Sequence, residues 1–413
     1  MARVVVTGVG VLSPIGNNIN DFWGSMLSGK SGAAPITYFD ASKFKTRFAC
    51  ELKGFDPTNF LDRQEIKRYD PFTQYALVAV NESIVNANLD LNKIDKYRCG
   101  VIWASGNGGV STNDDQLLEF AKGDGTPRFS PFYVPRILID IASGVISIKH
   151  GLKGINYTAV SACASATTAI INAFHYIKWG KADLLIAGGS EAPITESTIG
   201  GFNALKALST KNDSPETASQ PFDIARDGFV MGEGAGSLIL ESYEHAVKRN
   251  APILAEIVGG GMTADAWHLT ATHPDGEGAE RAMKECLSEA GIQPEDVQYI
   301  NAHATSTPTG DASELKAIER VFGERKSLIV NATKSMTGHL LGATGAVEAI
   351  ASIKVLKENI VPPTINTQNP EPEFADKFNF VLGKSKNAEV NYALSNTFGF
   401  GGHIASILFK KYQ

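Results

Sequence analysis

The sequence predicts an α/β fold built from two similar halves. Strand-like runs alternate with helical ones from end to end, and the strand runs are almost wholly apolar, as buried sheets require. In each half one strand leads through a turn of small residues into an apolar helix, over 160–179 and again over 330–357.

Val4–Val6 reads as the first buried strand, followed by a tight turn at Gly8-Val-Gly and a helix over Ile19–Leu27. A helix over Pro71–Val85 precedes the strand Val101–Trp103. Next come the strand Tyr157–Val160, the helix Ser165–Trp179, and the strands Leu184–Ala187 and Ser237–Leu240. The break at Lys248-Arg-Asn-Ala-Pro divides the halves, predicting units over 1–251 and 252–413. Beyond it the pattern resumes with strands at Ile253–Val258, Val297–Ile300, Leu328–Val330, Tyr392–Leu394 and Ala405–Phe409. Helices are expected over Gly278–Ala290, Ala312–Phe322 and Ala346–Lys357. Most pairings are expected to be parallel. Segments 104–135 and 195–235, richer in Gly, Pro and polar residues, read as insertions over one face.

With 413 residues, 43% of them hydrophobic, the chain can bury a substantial core. A net charge of −6 and the lack of a basic run argue against nucleic-acid binding. The first residues are broken by Gly8, Gly10, Pro14 and Gly16, unlike a secretion signal, and no apolar stretch is long enough for a membrane span. Cys50, Cys99, Cys163 and Cys286 show no framework spacing, which suits reduced thiols in the cytoplasm. Gly8-Val-Gly lacks the third glycine of a dinucleotide fingerprint, since Ser13 stands there. His268 and His273 lack a third ligand and the i, i+4 spacing of a helical metal pair, so no metal is expected.

The chemistry-bearing segment is Thr158-Ala-Val-Ser-Ala-Cys-Ala-Ser-Ala-Thr-Thr, where a strand ends and a helix begins. A thiol there faces unpaired N–H groups and the positive end of the helix dipole, both of which favour thiolate. Asn301-Ala-His-Ala-Thr-Ser-Thr-Pro-Thr-Gly-Asp places His303 just past a strand, and Thr333-Lys-Ser-Met-Thr-Gly-His places His339 in a glycine-punctuated loop. Loops at strand C-termini are where α/β sheets bind ligands. One such histidine alone is ordinary. Two beside a helix-N-terminal cysteine and a Gly-Phe-Gly-Gly turn point to nucleophilic catalysis.

These segments, together with Thr7-Gly-Val-Gly-Val-Leu-Ser-Pro, Gly188-Gly-Ser-Glu, Arg226-Asp-Gly-Phe-Val-Met-Gly-Glu-Gly and Phe398-Gly-Phe-Gly-Gly, resemble the elongating β-ketoacyl-acyl-carrier-protein synthases, synthase II subgroup, of the thiolase superfamily. The resemblance runs nearly end to end. It implies a five-layer αβαβα fold, a homodimer, and two-carbon elongation of fatty acyl chains by decarboxylative condensation, with no bound cofactor. Cys163 would carry the acyl group as a thioester, and the N–H groups of Cys163 and Phe400 would form its oxyanion hole. His303 and His339, as neutral donors, would hold the malonyl thioester carbonyl and stabilise the enolate left by CO2. Lys334 would support them, with Asp311, Glu314 and Glu348 as its partners. Thr305 and Thr307 match positions that bind the donor's pantetheine arm. Phe400 would gate acyl entry, with Gly399 and Gly401 freeing its backbone. Tyr133, Phe202, Leu341 and Phe398 complete the acyl-binding set.

Ala304, Ala166, His403 and Ile404 depart from the family pattern without removing a catalytic group, and Asn107 stands where an apolar residue borders the acyl tunnel. For the acidic acyl carrier protein, the docking surface falls on Arg63, Lys67 and Arg68 with Arg128 and Lys206. A polyketide or aryl-polyene ketosynthase would share every catalytic residue. A non-catalytic chain-length partner subunit would lack the nucleophile, which is present, and a papain-like hydrolase would carry a different local cysteine signature.

Overall fold

The computed structural model describes residues 1–413. Five strands form the amino-terminal half: β1 (Val4–Leu12), β2 (Cys99–Ala104), β3 (Asn156–Ala159), β4 (Leu184–Glu191) and β5 (Gly234–Ser242). The carboxy-terminal half contributes β6 (Ala255–Ala264), β7 (Tyr299–Asn301), β8 (Ile329–Asn331), β9 (Asn379–Phe380), β10 (Tyr392–Gly399) and β11 (His403–Lys410). The spatial order is β3-β2-β4-β5-β1 in the first half and β8-β7-β10-β11-β6 in the second, with β9 added beyond β8. Pairings match between the halves: β3, β2 and β4 run parallel, as do β8, β7 and β10, while β5 and β1, like β11 and β6, are antiparallel. The sheets are thus mixed, not mostly parallel. The apolar runs reflect burial on both faces, which antiparallel members share here.

The two sheets join only where Val4–Val6 of β1 pairs with Ala255–Ile257 of β6. Between them lie the helices Ser165–Lys178 and Thr344–Glu358, in a core of 48 buried residues. Alanines such as Ala166, Ala169, Ala346 and Ala349 let these helices approach each other and both sheets closely. Helices Pro71–Asn86 and Ile141–His150 cover the outer face of the first sheet, and Glu277–Ala290 and Pro308–Phe322 that of the second. The result is five layers, αβαβα.

Gly8 and Gly10 do not make a turn. The strand continues through them to Leu12, with a bulge at Thr7 in its pairing with β5. A Cβ on Gly10 would lie 2.0 Å from the carbonyl oxygen of Ala79, so these glycines exist to let the Pro71–Asn86 helix lie on β1. The C-terminal ends of β3, β7, β8 and β10 deliver, in turn, Cys163, His303, Lys334 with His339, and Phe400. Segment 104–135 carries the helix Val110–Lys122, and 195–235 carries Glu196–Ala204.

Candidate active site

Cys163 stands two residues before the Ser165–Lys178 helix, on a turn in which Ala162 takes φ +50°. That conformation disfavours any residue with a Cβ and is held locally. Ser165 Oγ accepts from the Ser161 N–H at 2.8 Å and donates to the Ala162 carbonyl at 2.6 Å. The N–H groups of Phe400 and of Cys163 itself are aimed at the sulfur. The thiol is half-buried because it faces a cavity.

The helix terminus does not win the electrostatics. Burial pushes the Cys163 thiol up to about 12; the charge of Lys334 and the two N–H groups pull against it, while Glu191 pushes with it. The resting group is therefore the thiol, which corrects the expectation of a thiolate. Alkylation of Cys163 by iodoacetamide is expected to rise roughly tenfold per pH unit from pH 7 to 10, since thiolate is the reactive form. A plateau below pH 9, read by peptide mass spectrometry, would contradict this.

His303 and His339 meet with ring centroids 5.3 Å apart and planes at 86°. Phe398 packs on His303 at 5.4 Å and Phe229 on His339 at 5.3 Å. His339 is pinned through its N–H to the Val230 carbonyl (2.7 Å) and through Nδ1 to Thr344 Oγ1 (3.0 Å). Burial first, and the Lys334 charge second, hold both imidazoles well below their ordinary range, so both are neutral.

Lys334, buried, donates to Glu348 Oε1 at 2.6 Å, and Thr333 Oγ1 reaches the same oxygen at 3.2 Å. Of the three expected partners only Glu348 bonds it. Glu314 instead accepts the N–H groups of His303 (2.9 Å) and Ala304 (2.8 Å), fixing the histidine loop, in which Ala304 takes φ +25°. Asp311 accepts from Ser306 (3.1 Å), Thr307 (3.3 Å) and Phe222 (2.9 Å). Both carboxylates shape backbone.

Phe400 opens a short turn in which Gly401 and Gly402 take φ +81° and +74°. Gly399 serves otherwise than expected. A Cβ there would lie 2.7 Å from the Ser161 carbonyl oxygen and 3.0 Å from the Cys163 nitrogen, so it permits close approach. A cavity of about 340 Å³ connects the sulfur to the surface. His303, His339, Thr305, Thr307, Phe202, Leu341, Phe398, Gly399 and Phe400 all line it, with Lys206 at the wall. Thr305 and Thr307 share a hydroxyl contact at 3.1 Å. Behind Cys163 an apolar cluster including Ile194, Ile199, Phe202, Phe229 and Leu341 continues into the fold.

Other expected residues stand apart. Asn107 and Tyr133 do not line the cavity. The Asn107 N–H reaches Glu191 Oε1 at 3.2 Å, and Tyr133 donates to Asn113 Oδ1 at 2.8 Å while packing on Phe129. Arg63, Lys67 and Arg68 share the helix Arg63–Arg68, with Arg68 over the ring of Phe132; Arg128 pairs with Asp124 at 3.1 Å. None of the four lines the cavity. Sequence reasoning missed Asp227 and Phe229, which sit in the quoted Arg226-Asp-Gly-Phe run without an assigned role, and Thr270–Thr272, passed over in weighing a metal pair.

Residues 1–246 match the family described as Beta-ketoacyl synthase, N-terminal domain, and residues 254–368 match Beta-ketoacyl synthase, C-terminal domain. A Staphylococcus aureus (strain COL) protein, 3-oxoacyl-[acyl-carrier-protein] synthase 2, is 49% identical over 415 residues, covering 100% of this chain and 99% of the relative. A solved Beta-ketoacyl synthase from Burkholderia phymatum superposes with a TM-score of 0.93 at 34% identity, over 100% of both chains. A second, from a structure of a type II PKS acyl-carrier protein in complex with its ketosynthase bound to the hexaketide, gives 0.90 at 33% identity, also over 100% of both.

Proposed function

The chain belongs to the β-ketoacyl synthase family, and as a 3-oxoacyl-acyl-carrier-protein synthase, a condensing acyltransferase of fatty acid synthesis, we propose that it divides its reaction among Cys163, His303, His339 and Phe400. One observation carries this assignment. A single cavity holds a sulfur faced by two backbone N–H groups and, across it, two neutral imidazoles set at right angles.

In the first half-reaction the Cys163 sulfur attacks the acyl-carrier thioester carbon. The thiol proton passes to the departing pantetheine sulfur, so the exchange is balanced and leaves an acyl-Cys163 thioester. In the second, malonyl-carrier protein enters and its C–C bond breaks, releasing CO2. The electron pair left behind is an enolate, whose oxygen accepts from His303 and His339. The enolate carbon then attacks acyl-Cys163, whose carbonyl oxygen takes negative charge beside the N–H groups of Cys163 and Phe400. Collapse expels the Cys163 thiolate, which is reprotonated, and the β-ketoacyl chain leaves two carbons longer on its carrier.

Thr305 and Thr307 offer hydroxyls to the pantetheine arm, and Phe202, Leu341 and Phe400 bound the acyl path. The acyl carrier protein is the partner that brings both substrates; no step calls for a further cofactor. Its docking on Lys206 and the Arg63–Arg68 helix belongs to this reading, as do division into halves at residue 251, a cytoplasmic location and a homodimer. The dimer is supported by β3, which ends its sheet with an open edge. No helix is long and apolar enough to cross a membrane.

The test is mass spectrometry after incubation with acyl-carrier protein. The acyl adduct is expected on Cys163, and subsequent malonyl-carrier protein should discharge it as β-ketoacyl product. An adduct on Cys50, Cys99 or Cys286 with Cys163 unmodified would overturn the assignment.

A further inference from the structure

The guanidinium of Arg226 is buried, yet three of its four hydrogen bonds go to backbone carbonyls. Nε donates to Thr307 O at 3.0 Å, Nη2 to Pro308 O at 2.6 Å, and Nη1 to Asp223 O at 2.8 Å. Nη2 also donates to Glu371 Oε2 at 2.9 Å, and Nε lies 3.8 Å from Asp311 Oδ2. Thr307 is thereby gripped at both ends, because its own N–H and that of Ser306 donate to Asp311 Oδ1. The turn is strained, with Ser306 at φ +71°, and would relax if released. A third link ties the walls: the Gly228 N–H donates to the Ser306 carbonyl at 3.1 Å.

Arg226 is therefore a fork between two walls of one channel. Asp227 and Gly228, next to it in sequence, line one side of the cavity; Thr305, Thr307 and Pro308 line another. We propose that Arg226 is a positioning residue for substrate binding, setting the distance between these walls so that the Thr305 and Thr307 hydroxyls meet the pantetheine arm. This rests on the reading that those threonines hold the arm. It assigns Arg226 no contact with the reacting atoms. Planarity matters more than charge here: a fork with fixed N–H directions can hold three carbonyls, which a lysine ammonium on a flexible stem cannot.

Arg226→Lys keeps the cation near Asp311 and loses the fork. Its KM for malonyl-carrier protein is expected to rise about tenfold with kcat within about twofold, the pattern of lost binding shared by ground and transition states. Labelling of Cys163 by iodoacetamide, which carries no arm, should match wild type. An unchanged KM, or matching falls in kcat and in labelling, would overturn the proposal. Thr307→Val is measured in parallel. If it leaves KM unchanged, the arm-binding reading fails; if it raises KM and Arg226→Lys does not, the role of Arg226 alone fails. Should Arg226→Lys not fold, Glu371→Gln slackens the fork from its outer side, and about a threefold rise in KM is expected. No rise there overturns the proposal equally.

Discussion

Replacing His303 or His339 by Ala is expected to slow CO2 release from malonyl-carrier protein by on the order of a hundredfold or more. Each imidazole is a fixed donor buried at the end of the cavity, and negative charge reaches the enolate oxygen only as the C–C bond breaks. A donor aimed at that oxygen acts on the transition state more than on bound substrate. Fixed orientation comes from the Phe398 and Phe229 rings and from Thr344, so alanine removes a prepaid interaction that water entering the gap replaces poorly. Acyl transfer to Cys163 should suffer much less, since its oxyanion donors are backbone N–H groups untouched by the change. Neutrality adds a pH signature. Both imidazoles titrate well below 6.5, so decarboxylation should show no acid limb between pH 6 and 7 of the kind an ordinary histidine gives. The check is 14CO2 release alongside acyl-enzyme formation, for both variants and across pH. Equal losses in the two half-reactions would show that the roles are not divided this way.

The layers and the convergence of the candidate site residues were legible because they rest on local pattern: apolar runs, and small-residue turns that place a reactive group at a strand end. Cys163, His303, His339 and Phe400 converge in the fold as their motifs implied. What misled was distance-dependent. The helix terminus beside Cys163 is visible in sequence, whereas the burial that overrides it depends on Phe202, Leu341 and Phe400, far away along the chain. Gly8-Val-Gly looked like a turn because the helix that packs on it begins some 60 residues later. Sequence alone offers Lys334 three carboxylates as partners. One turn of helix separates Asp311 from Glu314, and their geometry sends one to the Thr307 backbone and the other to that of His303, leaving only Glu348 for the lysine. Asn107 is the converse: its departure from the family pattern is plain in sequence, but its backbone N–H donates to Glu191 and the residue does not line the cavity beside Cys163.

The Lys334–Glu348 pair should yield the largest stability effect in the molecule outside its central core. Both side chains are almost fully buried, and the bond between them is 2.6 Å. Lys334→Met removes the cation and strands a carboxylate, a change that costs about 3–5 kcal/mol where the partner stays charged. Glu348 has an escape. Burial already pushes its carboxyl up to about 7 with the lysine present, and loss of that cation raises it further. Because this folded value exceeds that of an exposed glutamate, the folded variant binds the extra proton at low pH, and the stability it gains is lost as pH rises through the folded value. The stability gap between wild type and Lys334→Met should therefore be small near pH 5 and grow toward pH 8. Adding Glu348→Leu should recover most of the lost stability, since an apolar pair of similar volume needs no counter-charge. Decarboxylation should stay depressed in both, because both lack the Lys334 charge that bears on His303 and His339, which no methionine can imitate. Thermal unfolding at pH 5 and 8, with 14CO2 release on the same preparations, separates the two roles. A gap that does not widen with pH would mean that Glu348 is not left charged, and recovery of decarboxylation in the double variant would mean that the ion pair serves the fold alone.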